Sequence, residues 1–209
     1  GRGESVWLTQ FAVAVIEKFC AYIDDDSAKR YRKVADKLRR ALDKAYIDGR
    51  WARAFTDDGE WLGTDKTAAC KTDLICQSWA EIIRAGTEEM RQSAMKAAKE
   101  LVDVNAGAVK LFSPPFNGGR RYGYISSYPE GVRENGGQYT HAGVCYHLAC
   151  CKAGDKRQAN KVLKWLNPVE RCCDSDKNAA YKGEPYVLAG DVYTNKDNVG
   201  RAGWTWYTG

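Results

Sequence analysis

Tyr128-Pro129-Glu130-Gly131-Val132-Arg133-Glu134-Asn135-Gly136-Gly137-Gln138-Tyr139-Thr140-His141 is the stretch from which the rest of the chain can be read. It gathers a proline, three glycines, two carboxylates, an arginine, two amides, two tyrosines and a histidine. No hydrophobic period runs through it, so it is not a core element. Directly after it comes an apolar run at helical spacing, Val144, Cys145, Leu148 and Ala149. A polar loop delivered to the start of a helix is a common way to build a polar-ligand site.

Downstream of this loop, the helix ends near Gly154. Asp155 is expected to cap a short helix carrying Ala159, Val162, Leu163 and Leu166, which Asn167-Pro168 terminates. Residues 170–183 are polar. Glu184-Pro185-Tyr186 reads as the opening of a further short helix, with Pro in the first turn. A last loop leads to Gly203-Trp204-Thr205-Trp206-Tyr207-Thr208-Gly209.

Upstream, residues 104–136 carry no helical period, and loops of such length are usually functional. Before them, Thr87 caps a helix whose first turn holds Glu88 and Glu89 and whose inner face is Met90, Ala94, Ala97/Ala98 and Leu101. Leu74, Ile75, Trp79, Ile82 and Ile83 mark another helix, stopped by Gly86. Residues 51–72 are irregular. Ser27 is expected to cap a helix burying Tyr31, Val34, Leu38, Ala41/Leu42 and Ala45, with a solvated Lys/Arg face. Trp7, Phe11, Ala14/Val15, Phe19 and Tyr22 predict an amphipathic helix from about residue 4 to 23. Helices alternate with loops and no region is rich in strands. The expected fold class is all-α: helical hairpins with long functional loops at one end, forming part of an (α/α)6 barrel or toroid. Gly-Arg-Gly-Glu-Ser is not a natural start, so residues 1–209 are expected to be one portion of a larger barrel, cut at both ends.

Composition bounds the function. Hydrophobic residues make up 44% and charged residues 28% of the 209, which excludes a disordered chain. The net charge of +5 arises from 32 basic and 27 acidic residues, well mixed, which argues against nucleic acid as a partner. No apolar run approaches the ~18 residues of a membrane span. Seven Trp and twelve Tyr, several beside Gly, Asp or Glu, suit the flat C–H faces of sugar rings or simply fill a core. The eight cysteines form no CxxC pair and no zinc spacing, so no metal is expected. They read as reduced, buried thiols of a cytosolic, cytoplasmic protein.

Three loop segments compete for one site: Arg133–His141, Glu184–Asp191 and Gly200–Gly209. Glycines let backbone N–H groups converge on an anion, and His141, Thr140 and Thr208 add donors. Arg133 and His141 around such backbone would form a phosphate cradle, although Gly-rich turns alone are a weak signal. His141 could equally be a satisfied structural donor, and His147 is read as structural. A carboxylate pair for glycoside hydrolysis could be drawn from Glu130, Glu134, Glu184 and Asp191.

The opening stretch, Leu166-Asn167-Pro168, Glu184-Pro185-Tyr186-Val187 and the Gly203–Gly209 run together resemble the inverting glycoside phosphorylases of glycoside hydrolase family 94. That family includes cellobiose and chitobiose phosphorylases and the C-terminal region of cyclic β-1,2-glucan synthases. Gly3-Glu4-Ser5-Val6-Trp7-Leu8 and Cys70–Ala80 fit the same family and lean towards its β-1,2-glucan branch. The resemblance implies an (α/α)6 barrel and cleavage of a β-glucan oligosaccharide or disaccharide by inorganic phosphate, giving α-glucose 1-phosphate. Phosphate is a co-substrate and no cofactor is implied. His141, Thr208 and Gly209 correspond to the family's phosphate site, and Arg133 and Glu134 to its donor-sugar contacts. The general acid of the family is an Asp upstream of Gly-Glu-Ser-Val-Trp, so no catalytic residue lies within the chain, and the 209 residues alone are expected to be inactive. Family members often dimerise, so a homodimer of the full-length enzyme is among the expectations. An inverting β-glycoside hydrolase on the same barrel, or a non-catalytic carbohydrate-binding fragment, are the rival readings.

Overall fold

The structure, a computed structural model, describes residues 1–119 and 122–204. Among them are α1 (Val6–Phe19), α2 (Asp25–Lys44), α3 (Leu74–Ile82), α4 (Glu88–Lys99), α5 (Thr140–Lys152), α6 (Lys156–Leu166), α7 (Pro168–Arg171) and α8 (Ser175–Tyr181). The first six form three hairpins. Helices α1, α3 and α5 lie side by side as one row, and α2, α4 and α6 each back their own partner. Short two-residue strands fill the connections: β1 (Glu4–Ser5), β2 (Tyr46–Ile47), β3 (Arg50–Trp51), β4 (Ala54–Phe55), β5 (Trp61–Leu62), β6 (Thr72–Asp73), β7 (Val102–Asp103), β8 (Ala108–Val109), β9 (Phe112–Ser113), β10 (Gln138–Tyr139) and β11 (Asp191–Val192). The helical expectation holds, with these small antiparallel ladders added to it.

The ladders have a common job. Each helix of the inner row begins directly after a strand, β1, β6 or β10. Each of those strands is pinned by a distant partner, β4, β9 or β11 respectively. The start of each inner helix is therefore fixed by backbone pairing to a loop from elsewhere in the chain. Capping then sets the first turn. Ser5 accepts from Leu8 N–H at 3.3 Å and Asp73 from Cys76 N–H at 3.0 Å. In the outer row Thr87 and Asp155 cap α4 and α6 as read from the sequence, accepting from Met90 N–H at 3.3 Å and Gln158 N–H at 3.0 Å.

Several expectations are corrected. The cap of α2 is Asp24, not Ser27. Its carboxylate accepts the Ser27 N–H at 2.9 Å, and Asp25 and Asp26 fall in the first turn, where they favour the helix dipole. Asn167-Pro168 ends α6 but also starts α7, with Pro168 in the first turn where its missing N–H costs nothing. The polar segment 170–183 contains α8. Glu184-Pro185-Tyr186 opens no helix: the backbone around it bonds instead to the chain's last described residues, Ala202 N–H to Tyr181 C=O at 2.7 Å and Gly190 N–H to Trp204 C=O at 2.5 Å.

The core is two adjoining clusters. One is centred on Leu74, Leu101, Val109, Phe112, Tyr146 and Val162, the other on Val13, Leu42, Trp51, Cys76 and Ala80. The apolar face read on α1 is buried only in part: Trp7 and Ala14 pack against the core. Val6, Gln10 and Val13 are buried, while Phe11, Val15 and Phe19 are exposed and Tyr22 stands 84% exposed. The same holds for Tyr31 and Val34 on α2, Val144 and Leu148 on α5, and Leu163 on α6. Helical period locates an apolar stripe but not which half of it meets a neighbour. The cysteine reading is corrected in part: all eight are free, but Cys151 and Cys173 are exposed and Cys172 is half-buried. No helix of the described residues is long and apolar enough to cross a membrane.

Candidate functional site

The opening loop folds back on itself before entering β10. Gly137 N–H bonds to Arg133 C=O at 3.1 Å, and a Cβ at position 137 would sit 2.6 Å from that oxygen. Gly131 has φ 75° and lies so close to Asn195 that a Cβ would fall 2.5 Å from its nitrogen. These two glycines are required by close approach of backbone. Asn135 is fully buried and clamps the loop: its Oδ1 accepts from Phe116 N–H at 2.7 Å, and its Nδ2 donates to Phe116 C=O at 3.0 Å and Tyr128 C=O at 2.8 Å. Thr194 closes the other side, donating its hydroxyl to Gly136 C=O at 2.9 Å.

This frame leaves Arg133, Glu134 and Tyr139 around a cavity of about 200 Å³ whose far wall is Gly190, Asp191 and Trp204. β11 brings Asp191 there by pairing with Tyr139 of β10. Arg133 adopts φ 51°, a left-handed conformation costly for a residue with a side chain. Its guanidinium lies 4.7 Å from the Trp204 ring centre, and its Nη1 donates to the Tyr128 hydroxyl at 3.0 Å. Asp191 is 4% exposed. Its Oδ1 accepts the Trp204 N–H at 2.6 Å. Its Oδ2 is buried and has no hydrogen-bond partner among the described residues, and neither has Oε2 of Glu134. Burial pushes the Asp191 carboxyl above its ordinary range. The Trp204 N–H and Arg133 oppose that shift, and Glu134 adds to it.

Two buried carboxylate oxygens without donors, beside an aromatic plate and a cation, are costly to keep in an empty site. An O–H or N–H donor would satisfy each of them. The stack of Arg133 on Trp204 shapes a flat apolar wall, so the cavity matches a ligand that is ring-shaped and rich in hydroxyls.

His141 stands on the first turn of α5, exposed, beside Tyr139 of the cavity wall. Its ring meets the edge of Tyr139 at 5.9 Å and of Trp7 at 6.3 Å, between centroids. The Cys145 Sγ lies 3.8 Å from its Nε2. The Trp7 indole N–H is buried and unpartnered among the described residues. No side chain of the described residues caps α5, so its first-turn N–H groups keep the positive dipole end available near His141.

Of the residues singled out from sequence, Arg133 and Glu134 share the cavity, whereas His141 does not line it and reaches it only through its ring contact with Tyr139. Thr208 and Gly209 lie outside the described residues. Of the four carboxylates considered for an acid–base pair, Glu134 and Asp191 meet, whereas Glu130 and Glu184 are exposed and do not line the cavity. His147 is bonded to a backbone carbonyl, as a structural histidine would be. Sequence reasoning assigns no role to Tyr139, Trp204 or Trp7. The two tryptophans stand in the quoted motifs, but only the β10–β11 pairing and the packing of α1 on α3 reveal what they face. Among the described residues no three His, Cys, Asp or Glu side chains converge as a metal site would require.

Comparison with known proteins converges on one family. The sequence model of the glycosyl hydrolase 94 superfamily catalytic domain matches residues 1–209. The chain is 38% identical over its whole length to the cyclic beta-(1,2)-glucan synthase NdvB of Rhizobium meliloti, covering 8% of that protein. It is 34% identical over 81% of its length to the 3-O-beta-D-glucopyranosyl-beta-D-glucuronide phosphorylase of Paenibacillus borealis, covering 22% of it. It is 25% identical over its whole length to the N,N'-diacetylchitobiose phosphorylase of Vibrio furnissii, covering 27% of it.

Proposed function

Because the chain belongs to the glycosyl hydrolase 94 superfamily, we propose that it forms part of an inverting glycoside phosphorylase acting on a β-glucoside, with a β-1,2-glucan as the first substrate to test. The chain spans 8% to 28% of the length of the curated relatives it matches, so the reaction is proposed for the protein that carries this site. In this reading the three hairpins are half of an (α/α)6 barrel.

The observation that carries the proposal is the pair of donor-less carboxylate oxygens, Glu134 Oε2 and Asp191 Oδ2, in one cavity with Trp204 and Arg133. Donor-sugar hydroxyls would satisfy both oxygens while the ring lies against Trp204. Phosphate would be held beside the cavity by His141 and the α5 N-terminus, with Thr208 and Gly209 completing the clamp. An inverting hydrolase needs a base to activate water. Phosphate arrives already charged, so the protein needs only an acid for the leaving oxygen and groups that aim the phosphate at the far face of the anomeric carbon. Attack from that face turns the β-bond into α-glucose 1-phosphate. The acid is proposed to be an Asp preceding this chain's Gly3-Glu4-Ser5-Val6-Trp7.

The test is product analysis on a β-1,2-linked gluco-oligosaccharide, with and without inorganic phosphate, using this chain and the longer protein carrying it. We expect α-glucose 1-phosphate from the longer protein only when phosphate is present, and no turnover by the 209 residues alone. Free glucose at an equal rate without phosphate would make the protein a hydrolase. Turnover by the short chain would move the acid role to Asp191 or Glu134. Sugar binding that ignores both phosphate and His141→Ala would leave a carbohydrate-binding module.

A further inference from the structure

At the other end of α5 from His141, a second histidine faces a second cysteine. His147 Nδ1 lies 3.0 Å from the carbonyl oxygen of Ala159 on α6. A carbonyl only accepts, so Nδ1 carries the hydrogen and Nε2 is left with its lone pair. Nε2 lies 3.7 Å from the Sγ of Cys151, one helical turn on, and Cys151 is exposed. The thiol is therefore the donor to Nε2. A backbone carbonyl orients an imidazole, and the imidazole receives the proton of an accessible thiol: the arrangement by which cysteine nucleophiles are activated.

We propose that Cys151 is a reactive thiol, a site of covalent modification by low-molecular-weight disulfides and other soft electrophiles, with His147 as its base. The sulfur gives its proton to His147 Nε2 and attacks one sulfur of the disulfide. The S–S bond breaks as the new one forms, and the departing thiolate takes the proton back from the imidazolium. The products are a mixed disulfide on Cys151 and one free small thiol.

The remaining cysteines lack this combination: Cys172 is half-buried and its thiol donates to the Gly183 carbonyl at 3.6 Å. Cys20, Cys70, Cys76, Cys145 and Cys150 are buried. Burial pushes Cys150, the sequence neighbour, up to about 12. Cys173 is the other exposed thiol and has no imidazole beside it: its sulfur donates to Asp174 Oδ2 at 3.8 Å, and Lys177 Nζ, 3.2 Å from that sulfur, is itself paired with the same carboxylate at 3.1 Å. Cys173 thus serves as an internal standard.

The folded chain is treated with limiting iodoacetamide, and separately with glutathione disulfide, and peptide mass spectrometry follows each cysteine. Cys151 is expected to react roughly tenfold or more faster than Cys173 and to carry the glutathione adduct. His147→Gln is expected to bring the Cys151 rate towards that of Cys173 without changing the latter. Equal rates at Cys151 and Cys173 in the unaltered chain would overturn the proposal, as would a Cys151 rate indifferent to His147→Gln. If the variant unfolds, buried Cys70 and Cys76 will label too, and the ratio in the unaltered chain still decides.

Discussion

Helices α3 and α5 stand side by side and begin after the same kind of two-residue strand, yet their first turns are finished in opposite ways. At the start of α3 the side chains of Asp73 and Gln77 are both engaged. Asp73 is 1% exposed, caps Cys76 with one oxygen and meets Arg53 Nε at 3.1 Å with the other. Arg53 also donates to Ser5 Oγ at 3.2 Å, tying in the start of α1. Gln77 holds both backbone groups of Trp51, at 2.9 and 2.8 Å, and donates a further bond to Asp73 C=O. At α5 no described side chain supplies a cap, and Glu134 and Asp191 each keep a buried oxygen without a partner among the described residues. A satisfied network of buried charge is a structural device, while an unsatisfied one beside a cavity is waiting for a ligand. Hydrogen bonding separates the two helix starts: one is closed by its own side chains, and the other leaves two buried acceptors open among the described residues.

The comparison breaks first at Asp73. Asp73→Ala removes a cap and leaves Arg53 half-buried without its counter-ion, so we expect a loss of about 3–5 kcal/mol, seen as a lower urea midpoint at unchanged slope. A loss under about 1 kcal/mol would mean that the start of α3 is no more structural than that of α5. The next test lies inside the open region. Asn135→Ala deletes three bonds of a fully buried amide and strands Phe116 and Tyr128 backbone groups, for about 2–3 kcal/mol. If it proved neutral, the loop would not be held by this clamp, and the positions of Arg133 and Glu134 would need another cause.

Much of this was legible in residue order. Thr87 and Asp155 announce their helices because a cap acts within three residues of itself, and the Gly-rich polar run announces a loop at the head of a helix. What escaped depends on chain segments far apart. Asp191 becomes a wall of the site only because β11 pairs with β10, across more than fifty residues. Trp204 becomes a plate only because Arg133 takes a left-handed turn and lays its guanidinium on the ring. The Glu184-Pro185-Tyr186 segment sits between Tyr181 and Gly190, both of which bond to residues 202–204, and forms a turn where a helix was expected. The exposed half of α1 escaped because a 3.6-residue period reports a stripe and not its neighbours.

Glu134→Gln sharpens the contrast with a smaller effect. The amide keeps the shape and one acceptor but replaces the unpartnered charged oxygen, so the fold should hold or gain slightly. Affinity for glucose, read by titration calorimetry, should fall about tenfold, or ~1.4 kcal/mol. Equal affinity with a lower melting temperature would assign Glu134 to structure and not to the sugar.

The smallest effect, and the most specific, is expected at Asp191. Burial raises its folded-state pKa, so the native chain holds this proton more tightly than the unfolded chain does. The stability it contributes is therefore fully present below the ordinary carboxylate value and is lost as pH rises through the raised one. Asp191→Asn carries no charge and keeps an acceptor for the Trp204 N–H. The variant should gain on the unaltered chain as pH rises through that window, and the two should converge towards acid. Urea midpoints of both proteins from about pH 3.5 to 7 read this directly. A difference that stays flat would show that the charge on Asp191 carries no penalty, which requires a donor on Oδ2. Added glucose sharpens the reading further, because hydroxyls on Oδ2 would stabilise the charged form and flatten the slope of the unaltered chain alone.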